Sequence, residues 1–168
     1  MPFDSQPTLR GERLTVRPLL ADDFDALFAV AGDPLIWAQH PVPDRYQRGV
    51  FSRFFADSLA SGGALVVLGE AGEVIGSSRF HGYSESAGEV EIGWTFLARS
   101  CWGGPVNREL KNLMLEHAFR FVERVVFLVG PANHRSQRAL EKLGAVRVGT
   151  RADGAGVASV LFELRRKL

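Results

Sequence analysis

A glycine turn placed before a helix-like stretch is the first feature with residues that could bind a ligand. Gly103 and Gly104 precede a segment in which apolar residues recur at helical spacing from Val106 onward. The first N–H groups of a helix have no intrahelical partner and carry partial positive charge, and glycine lets an anion approach the backbone. The turn therefore indicates an anion site, although glycine before a helix is also common in purely structural turns. It contains neither the Walker phosphate loop nor the dinucleotide-binding fingerprint.

Two other segments contain side chains that are typical of a helix cap or of a pocket lining. Asn133 precedes a short helical stretch that ends at Gly144, which predicts a capping role for its side chain and places Ser136 in the first turn. Trp37 and His40 lie in a loop between two helical stretches, and loops of this kind often line pockets. An ordinary capped helix and a packed loop also explain these residues.

The elements that must position these residues alternate between strand and helix patterns. Strand patterns cover residues 14–17, 64–68, 74–80, 89–97, 125–129 and 157–164, and helical patterns cover residues 22–31, 48–59, 106–121 and 133–143. Three successive strands with short turns predict an antiparallel meander. No linker rich in Pro, Gly or Ser divides the 168 residues, so we expect one α+β domain over residues 1–168 with a mixed sheet.

The composition is that of an ordinary globular protein, with 46% hydrophobic and 23% charged residues and a formal net charge of +1. No apolar run approaches the roughly 18 residues that span a bilayer, and the N-terminus lacks the features of a secretory signal. One cysteine excludes a disulfide framework and a cysteine-based zinc site. The near-neutral charge, without interleaved basic and aromatic residues, disfavours nucleic-acid binding. We therefore expect a cytoplasmic protein with no metal, membrane or nucleic-acid partner.

Segments spread over nearly the whole chain match a known pattern in their order and spacing. They are RLTVRPLLADDFDAL, VIGSSRF, EIGWTFL, WGGPVNRELKNLMLEHAF and NHRSQRALEKLGAVRVG. The last two look like the patterns WGxGxxxEAxxxLxxxAF and NxxSxRxLEKLGF. The chain thus resembles the GNAT superfamily of N-acetyltransferases, most closely the branch that includes the bacterial ribosomal-protein N-terminal acetyltransferases. This resemblance implies a GNAT fold, in which a central, mostly antiparallel sheet splays between strands 91–97 and 125–129 and is flanked by helices.

The resemblance also implies an acetyl-CoA-dependent N-acetyltransferase, which moves an acetyl group to a primary amine by direct attack in a ternary complex. The backbone from Trp94 to Leu97 would bind the pantetheine arm and polarise the thioester carbonyl, and residues 99–106 would hold the pyrophosphate. The cofactor-binding residues carried over by position are Trp94, Phe96, Leu97, Arg99, Ser100, Trp102, Gly103, Gly104, Val106 and Asn133. The implied chemistry uses no metal.

The same resemblance suggests an acid and a base. Ser136 falls where the branch has a serine near the thiolate, so it is the expected proton donor to the leaving sulfur. The attacking amine must first lose a proton, and Glu91 occupies the position of a glutamate with that role in the branch, unless it merely pairs with an arginine. His81, at the end of the preceding strand, is the second candidate base. Trp37 and His40 fall in the region that forms the acceptor pocket.

The chain departs from the superfamily in its phosphate loop and at one catalytic position. The loop pattern [QR]xxGx[GA] has Ser100 at its first position here and Pro105 at its last. Proline supplies no N–H to a phosphate, so the effect of these changes on acetyl-CoA affinity is left open. Leu140 stands where many members have a tyrosine acid. A non-catalytic acyl-CoA or metabolite binding module on the same fold is therefore the alternative function.

The sequence leaves the acceptor open. Protein N-termini, small metabolites, amino acids and aminoglycosides are all acceptors in this superfamily, so the expected partner is a small-molecule or peptide amine. The acidic first half would suit a cationic acceptor, unless these residues are simply solvated; they include Asp22, Asp23, Asp25, Asp33 and Asp44. A homodimer formed through the last strand, as in some relatives, is also left open.

Overall fold

The computed structural model describes residues 2–152 and 156–168, in which eight strands form one mixed sheet and four α-helices pack against it. The strands are β1 (Leu9–Arg10), β2 (Thr15–Pro18), β3 (Ala64–Leu68), β4 (Val74–Ser84), β5 (Glu89–Leu97), β6 (Arg124–Val129), β7 (Val146–Ala152) and β8 (Ala158–Arg165). The helices are α1 (Phe24–Ala31), α2 (Arg48–Ser61), α3 (Val106–Ala118) and α4 (His134–Leu143). The predicted α+β fold with a mixed sheet is confirmed.

One junction within the sheet is parallel. The strand order is β1-β2-β3-β4-β5-β6-β8-β7, and β5 with β6 is the parallel pair among antiparallel neighbours. Pairing between β5 and β6 runs from Glu89 with Arg124 to Glu91 with Val126, and both strands continue beyond those residues. The two strands therefore part after Glu91 and leave a V-shaped gap, as the resemblance implied. We call this gap the seam.

Hydrophobic clusters hold the sheet from both faces. Leu65 belongs to the cluster under α3, whereas the next residue, Val66, belongs to the cluster under α1 and α2, as expected for a strand whose side chains alternate. The helices contribute fully buried side chains such as Leu110 of α3 and Phe51 of α2, each of which stabilises the fold by about 1.5–3 kcal/mol.

No helix in the described part of the chain combines the length and apolar content needed to cross a bilayer.

The sequence patterns located the four helices but missed two strands. β1 has two residues, and β7 is an exposed edge strand with a bulge between Arg147 and Gly149, so it lacks the alternation that marks a half-buried strand. β8 lies between β6 and β7 and is paired on both sides. The last strand therefore has no unpaired edge within the described sheet, and the possibility of a homodimer stays open.

Gly76 lies in β4 at a point where β5 leaves no room for a side chain. A methyl group there would overlap the carbonyl oxygen of Phe96 and lie 2.8 Å from the Leu97 side chain. We expect Gly76→Ala to lower the free energy of unfolding by about 2–3 kcal/mol, because one strand must shift. Gly49→Ala is the matched control, since Gly49 lies in the first turn of α2 with open space around it and alanine favours helix. Denaturant unfolding measures both variants, and equal losses would contradict the packing argument.

Candidate active site

A bulge in β5 lies beside the seam. Arg79 pairs with Gly93 whereas Ser77 pairs with Phe96, so two steps along β4 correspond to three along β5. Trp94 lies in this irregular stretch with a φ of 52°, a left-handed conformation that costs a non-glycine residue about 1–3 kcal/mol. A bulge leaves its extra residue outside the regular ladder. Backbone groups of β5 are therefore available where the seam opens, in the segment that the resemblance assigned to pantetheine.

A cation and an imidazole hold the Trp94 ring. The guanidinium carbon of Arg79 lies 4.3 Å from the ring centroid, and the His81 ring meets the indole edge-on at 5.2 Å. His81 also pairs with Glu91 across β4 and β5. The structure thus brings three of the predicted site residues together at the edge of the seam, with His81 exposed and the other two half-buried.

The Glu91 carboxyl lies over Gly93, since a methyl group on that glycine would come within 2.9 Å of Oε2. Burial raises the pKa of Glu91 to about 7, and the nearby positive charges of Arg151 and Arg79 only partly oppose this rise. Within the described residues it is the neighbouring Glu89, not Glu91, that forms ion pairs with arginines. A carboxyl that titrates near neutral pH can both accept and release a proton there.

On the other face of β5, the bulge is tied to α3 by a buried lysine. Lys111 Nζ donates to Thr95 Oγ1 at 2.9 Å, and Thr95 Oγ1 lies 2.8 Å from Ser78 Oγ. Lys111 is 6% exposed, and burial lowers its pKa to about 7. The sequence analysis did not single out this lysine. Its place between Leu110 and Met114, on the apolar side of a helix, was the available signal.

The loop before α3 has the geometry of an anion site. Gly103 adopts a φ of 74°, and Gly104 has open space around it. α3 begins at Val106 with Pro105 as its N-cap, and no side chain caps the first turn. The first N–H groups of α3 therefore have no partner within the helix. Ser100 is exposed in the short 3-10 turn that precedes the glycines.

Trp102 connects the end of β5 with the start of α4. Its indole Nε1 donates to the Leu97 carbonyl at 3.0 Å, and the guanidinium carbon of Arg135 lies 3.6 Å from the centroid of its ring. The Arg135 backbone N–H in turn donates to Gln39 Oε1 at 3.2 Å. Because these elements follow the two strands that form the seam, the Trp102 side chain lies across the open end of the seam.

The remaining residues predicted for the cofactor surround the end of β5. Phe96 packs into the cluster under α1 and α2, and Leu97 packs into the cluster under α3. Arg99 is exposed and forms an ion pair with Asp33 in the loop after α1. The charge of Arg99 is therefore already partly neutralised by this carboxylate.

Asn133 and Ser136 interact at the start of α4. The Asn133 side chain is buried, and its Oδ1 accepts a hydrogen bond from the Ser136 backbone N–H at 3.3 Å. This is the helix cap that the sequence predicted. Ser136 is half-buried, and its hydroxyl forms no hydrogen bond with the described residues, so it can donate to a ligand.

Trp37 and His40, the predicted acceptor residues, differ in accessibility. Trp37 is 2% exposed and donates to the Ala31 carbonyl at 2.8 Å, so it supports the loop from within the core. His40 Nδ1 accepts from the Val42 N–H at 2.9 Å, which leaves the proton of the neutral ring on Nε2. Burial, together with the charge of Arg45, lowers the pKa of His40 to about 4. His40 is therefore a neutral hydrogen-bond donor at pH 7 rather than a base.

Two arginines that the sequence analysis missed lie on the same face as α1 and α2. The guanidinium carbon of Arg45 is 4.3 Å from the centroid of Phe54 and 5.2 Å from that of Trp37. The Arg79 guanidinium carbon is 5.8 Å from the Phe54 centroid. The only signal for Arg79 was a charge within a strand pattern, and a proline-containing loop gave none for Arg45.

In the described part of the chain, no three His, Cys, Asp or Glu side chains gather as metal ligands would.

The known proteins that this chain resembles are acetyltransferases. Residues 13–146 match the model of the acetyltransferase (GNAT) domain family. The uncharacterized N-acetyltransferase p20 of Bacillus licheniformis is 27% identical over 173 residues, which cover 95% of this chain and 97% of that protein. The acetyltransferase structure from Agrobacterium tumefaciens C58 has a TM-score of 0.73 at 27% identity, covering 95% of each chain. Mycobacterium smegmatis RimJ, solved with CoA-disulfide, shares the fold at 18% identity, with a TM-score of 0.70 over 95% of this chain and 86% of that one.

The raised pKa of Glu91 predicts a pH-dependent effect on stability. A carboxyl whose pKa is about 7 in the folded state, above its ordinary 4.5, loses stability relative to a neutral side chain as pH rises between those values. Glu91→Gln should therefore unfold at the same temperature as the wild type near pH 4 and a few degrees higher near pH 8. Differential scanning calorimetry with Glu85→Gln as the exposed control measures this. A wild-type advantage that grows with pH would contradict it.

Proposed function

The chain belongs to the acetyltransferase (GNAT) family, whose members transfer an acetyl group from acetyl-CoA, and we propose that it delivers this group to a primary amine by direct attack in a ternary complex. The observation that carries the proposal is the seam, which opens directly after Glu91. Glu91 lies on the α1 and α2 face, and the free amides of α3 lie at the end of β5. The name of p20 supports an amine acceptor.

The described residues fit acetyl-CoA, which would supply the activated thioester. The amides at the start of α3, with Gly103 and Gly104, would bind the pyrophosphate, because a helix N-terminus attracts anions. The β5 backbone at Trp94 would align the pantetheine arm. Pro105 removes one N–H donor but leaves the first turn of α3 uncapped. The CoA-disulfide held by M. smegmatis RimJ supports a CoA site on this fold.

Proton transfer from the amine is assigned to Glu91. Its carboxyl titrates near neutral pH, faces the α1 and α2 side and is free of ion pairs within the described residues. It can therefore accept the ammonium proton directly or through a water molecule. His81, exposed and opposite Glu91 in the register, is the alternative base.

Proton return to the leaving sulfur is assigned to Ser136. Its backbone is fixed by the Asn133 cap, while its hydroxyl is free to donate. Leu140, one turn further along α4, has no proton to give. We further propose that the chain is related by descent to the branch of ribosomal-protein N-terminal acetyltransferases, which is supported by the motifs around Glu91 and Ser136 and by the fold shared with RimJ. This relationship does not fix the acceptor amine of this chain.

Binding of acetyl-CoA is the first test. At about 100 times its dissociation constant, a ligand adds roughly 2.7 kcal/mol of stability, which raises the melting temperature by several degrees in a chain of this size. Thermal unfolding with and without acetyl-CoA should show this rise. Gly104→Asp should abolish it, because a carboxylate at the start of α3 repels the pyrophosphate. Gly49→Asp, in the open first turn of α2, should keep it. No rise in the wild type would overturn the proposal.

The assignment of the base is tested by the pH dependence of transfer. The wild-type kcat/KM, followed through released CoA thiol with the most active amine of a panel, should rise up to about pH 7 and then level. In the Glu91→Gln variant, kcat/KM should no longer rise with pH, and transfer should be about 10²–10⁴-fold slower. The His81→Asn variant should keep both the rise of kcat/KM with pH and most of the wild-type value. The reverse pattern would transfer the role to His81.

A further inference from the structure

Two positive charges converge on one aromatic ring on the acceptor side of the sheet. Arg45 approaches the Phe54 ring at 4.3 Å and Arg79 at 5.8 Å, measured from the guanidinium carbon to the ring centroid. Each charge acts on the other, since Arg79 contributes to lowering the pKa of Arg45 to about 10. Both remain cations at neutral pH. We call Arg45 and Arg79 the arginine pair.

Arg79 is buried and Arg45 is half-buried, and neither forms an ion pair among the described residues. Arg79 is 6% exposed, and its Nη2 donates to Ser58 Oγ at 2.6 Å. The Nε–H groups of both arginines are buried and have no acceptor in the described part of the chain. A buried charge is costly unless it is paired, and an unmet N–H adds to that cost. Unfavourable arrangements of this kind are found in natural proteins mainly at functional sites.

The acidic residues near the pair neutralise it only in part. Glu91 acts on Arg79, but burial raises the pKa of Glu91 to about 7, and the other carboxylates are paired elsewhere or exposed. Asp23 forms an ion pair with Arg17, and Asp33 forms one with Arg99. Asp44 and Asp57, whose charges reach the arginine pair, are both exposed. Of the acidic residues in the first half of the chain, Asp23 and Asp33 are thus used in ion pairs and Asp44 is exposed, which favours the interpretation that they are structural or solvated.

The pair lies next to the group assigned to the acceptor amine. Arg79 is the register partner of Gly93, and the Glu91 carboxyl lies over that same glycine. The Arg79 guanidinium then stacks on Trp94, on the edge of the seam. An acceptor whose amine faces Glu91 would hold its neighbouring atoms against the arginine pair, about one strand spacing away.

Building on the proposed amine acetylation, we propose that the acceptor is a small amine that carries a carboxylate, and that Arg45 and Arg79 bind this carboxylate. A guanidinium donates two parallel N–H bonds to a carboxylate, and its flat faces stay free to stack on Phe54 and Trp94. His40, a neutral donor beside Arg45, adds a further hydrogen bond donor to the same region. The arginine pair thus binds the carboxylate of the acceptor, while Glu91 accepts the proton of its amine.

The acceptor preference is measured with matched pools of amines. A pool of free amino acids and a pool of the same amino acids as C-terminal amides are compared at equal concentration by release of CoA thiol. We expect the wild type to acetylate the acid pool at least about ten-fold faster. Arg45→Gln should remove this preference, and Arg45→Lys should retain part of it, because lysine keeps the charge but not the fork. Arg53→Gln, an exposed arginine of α2, is the control that should change nothing.

Unfolding without acceptor separates a binding role from a structural one. If the pair is a ligand site, Arg45→Gln removes a half-buried charge that forms no ion pair among the described residues, and it should not lower the melting temperature. A clear drop would mean that Arg45 serves the fold and would overturn the inference. An aminoalkyl phosphonate preferred over the amino acids would overturn the choice of carboxylate.

Thermal shifts with each pool keep this inference distinct from acetyl transfer. The acid pool, added with CoA, should raise the melting temperature of the wild type but not of Arg45→Gln, and the amide pool should raise neither. This pattern without any transfer would support the arginine pair and overturn the proposed activity. Equal transfer to both pools would support the proposed acetyl transfer and overturn the inference that the acceptor carries a carboxylate.

Discussion

The early end of pairing between β5 and β6 is the constraint on which the rest of the molecule depends. A parallel pair needs a crossover, and here α3 is that crossover. α3 must therefore begin at the carboxyl end of β5, and α4 begins at the carboxyl end of β6. Two helix N-termini consequently meet where the strands diverge. The anion site, the Asn133 cap and the Trp102 contact with Arg135 all follow from this geometry.

Unfavourable features gather around the seam rather than being spread over the fold. Trp94 has a positive φ, Lys111 is buried with a hydroxyl as its partner, and Glu91 holds its proton up to neutral pH. Each of them lowers stability, and all lie on β5 or touch it. The clusters that include Phe51 and Leu110 supply the stability that tolerates them. This distribution is typical of a protein that trades local stability for a reactive site.

The sequence predicted what depends on short-range pattern. Helical spacing located α2 and its buried phenylalanines, Gly144 marked the end of α4, and Asn133 was identified as its cap. The V-shaped gap came from the resemblance, since no local pattern distinguishes a strand that pairs fully from one that parts from its neighbour. Roles that depend on partners distant in sequence were not predictable. Arg45 and Phe54 lie on different elements, and the Arg79 Nε–H that has no acceptor among the described residues is visible only when the whole face is assembled.

The outer strands of the sheet also bear on how copies of the chain meet each other. An open strand edge invites pairing with another chain, and natural sheets prevent this with bulges, basic residues and short edges. β7 carries a bulge next to Arg147, and β1 at the opposite edge has two residues. Neither edge offers a flat, continuous ladder. Both margins of the sheet therefore carry features that disfavour edge-to-edge aggregation at high concentration.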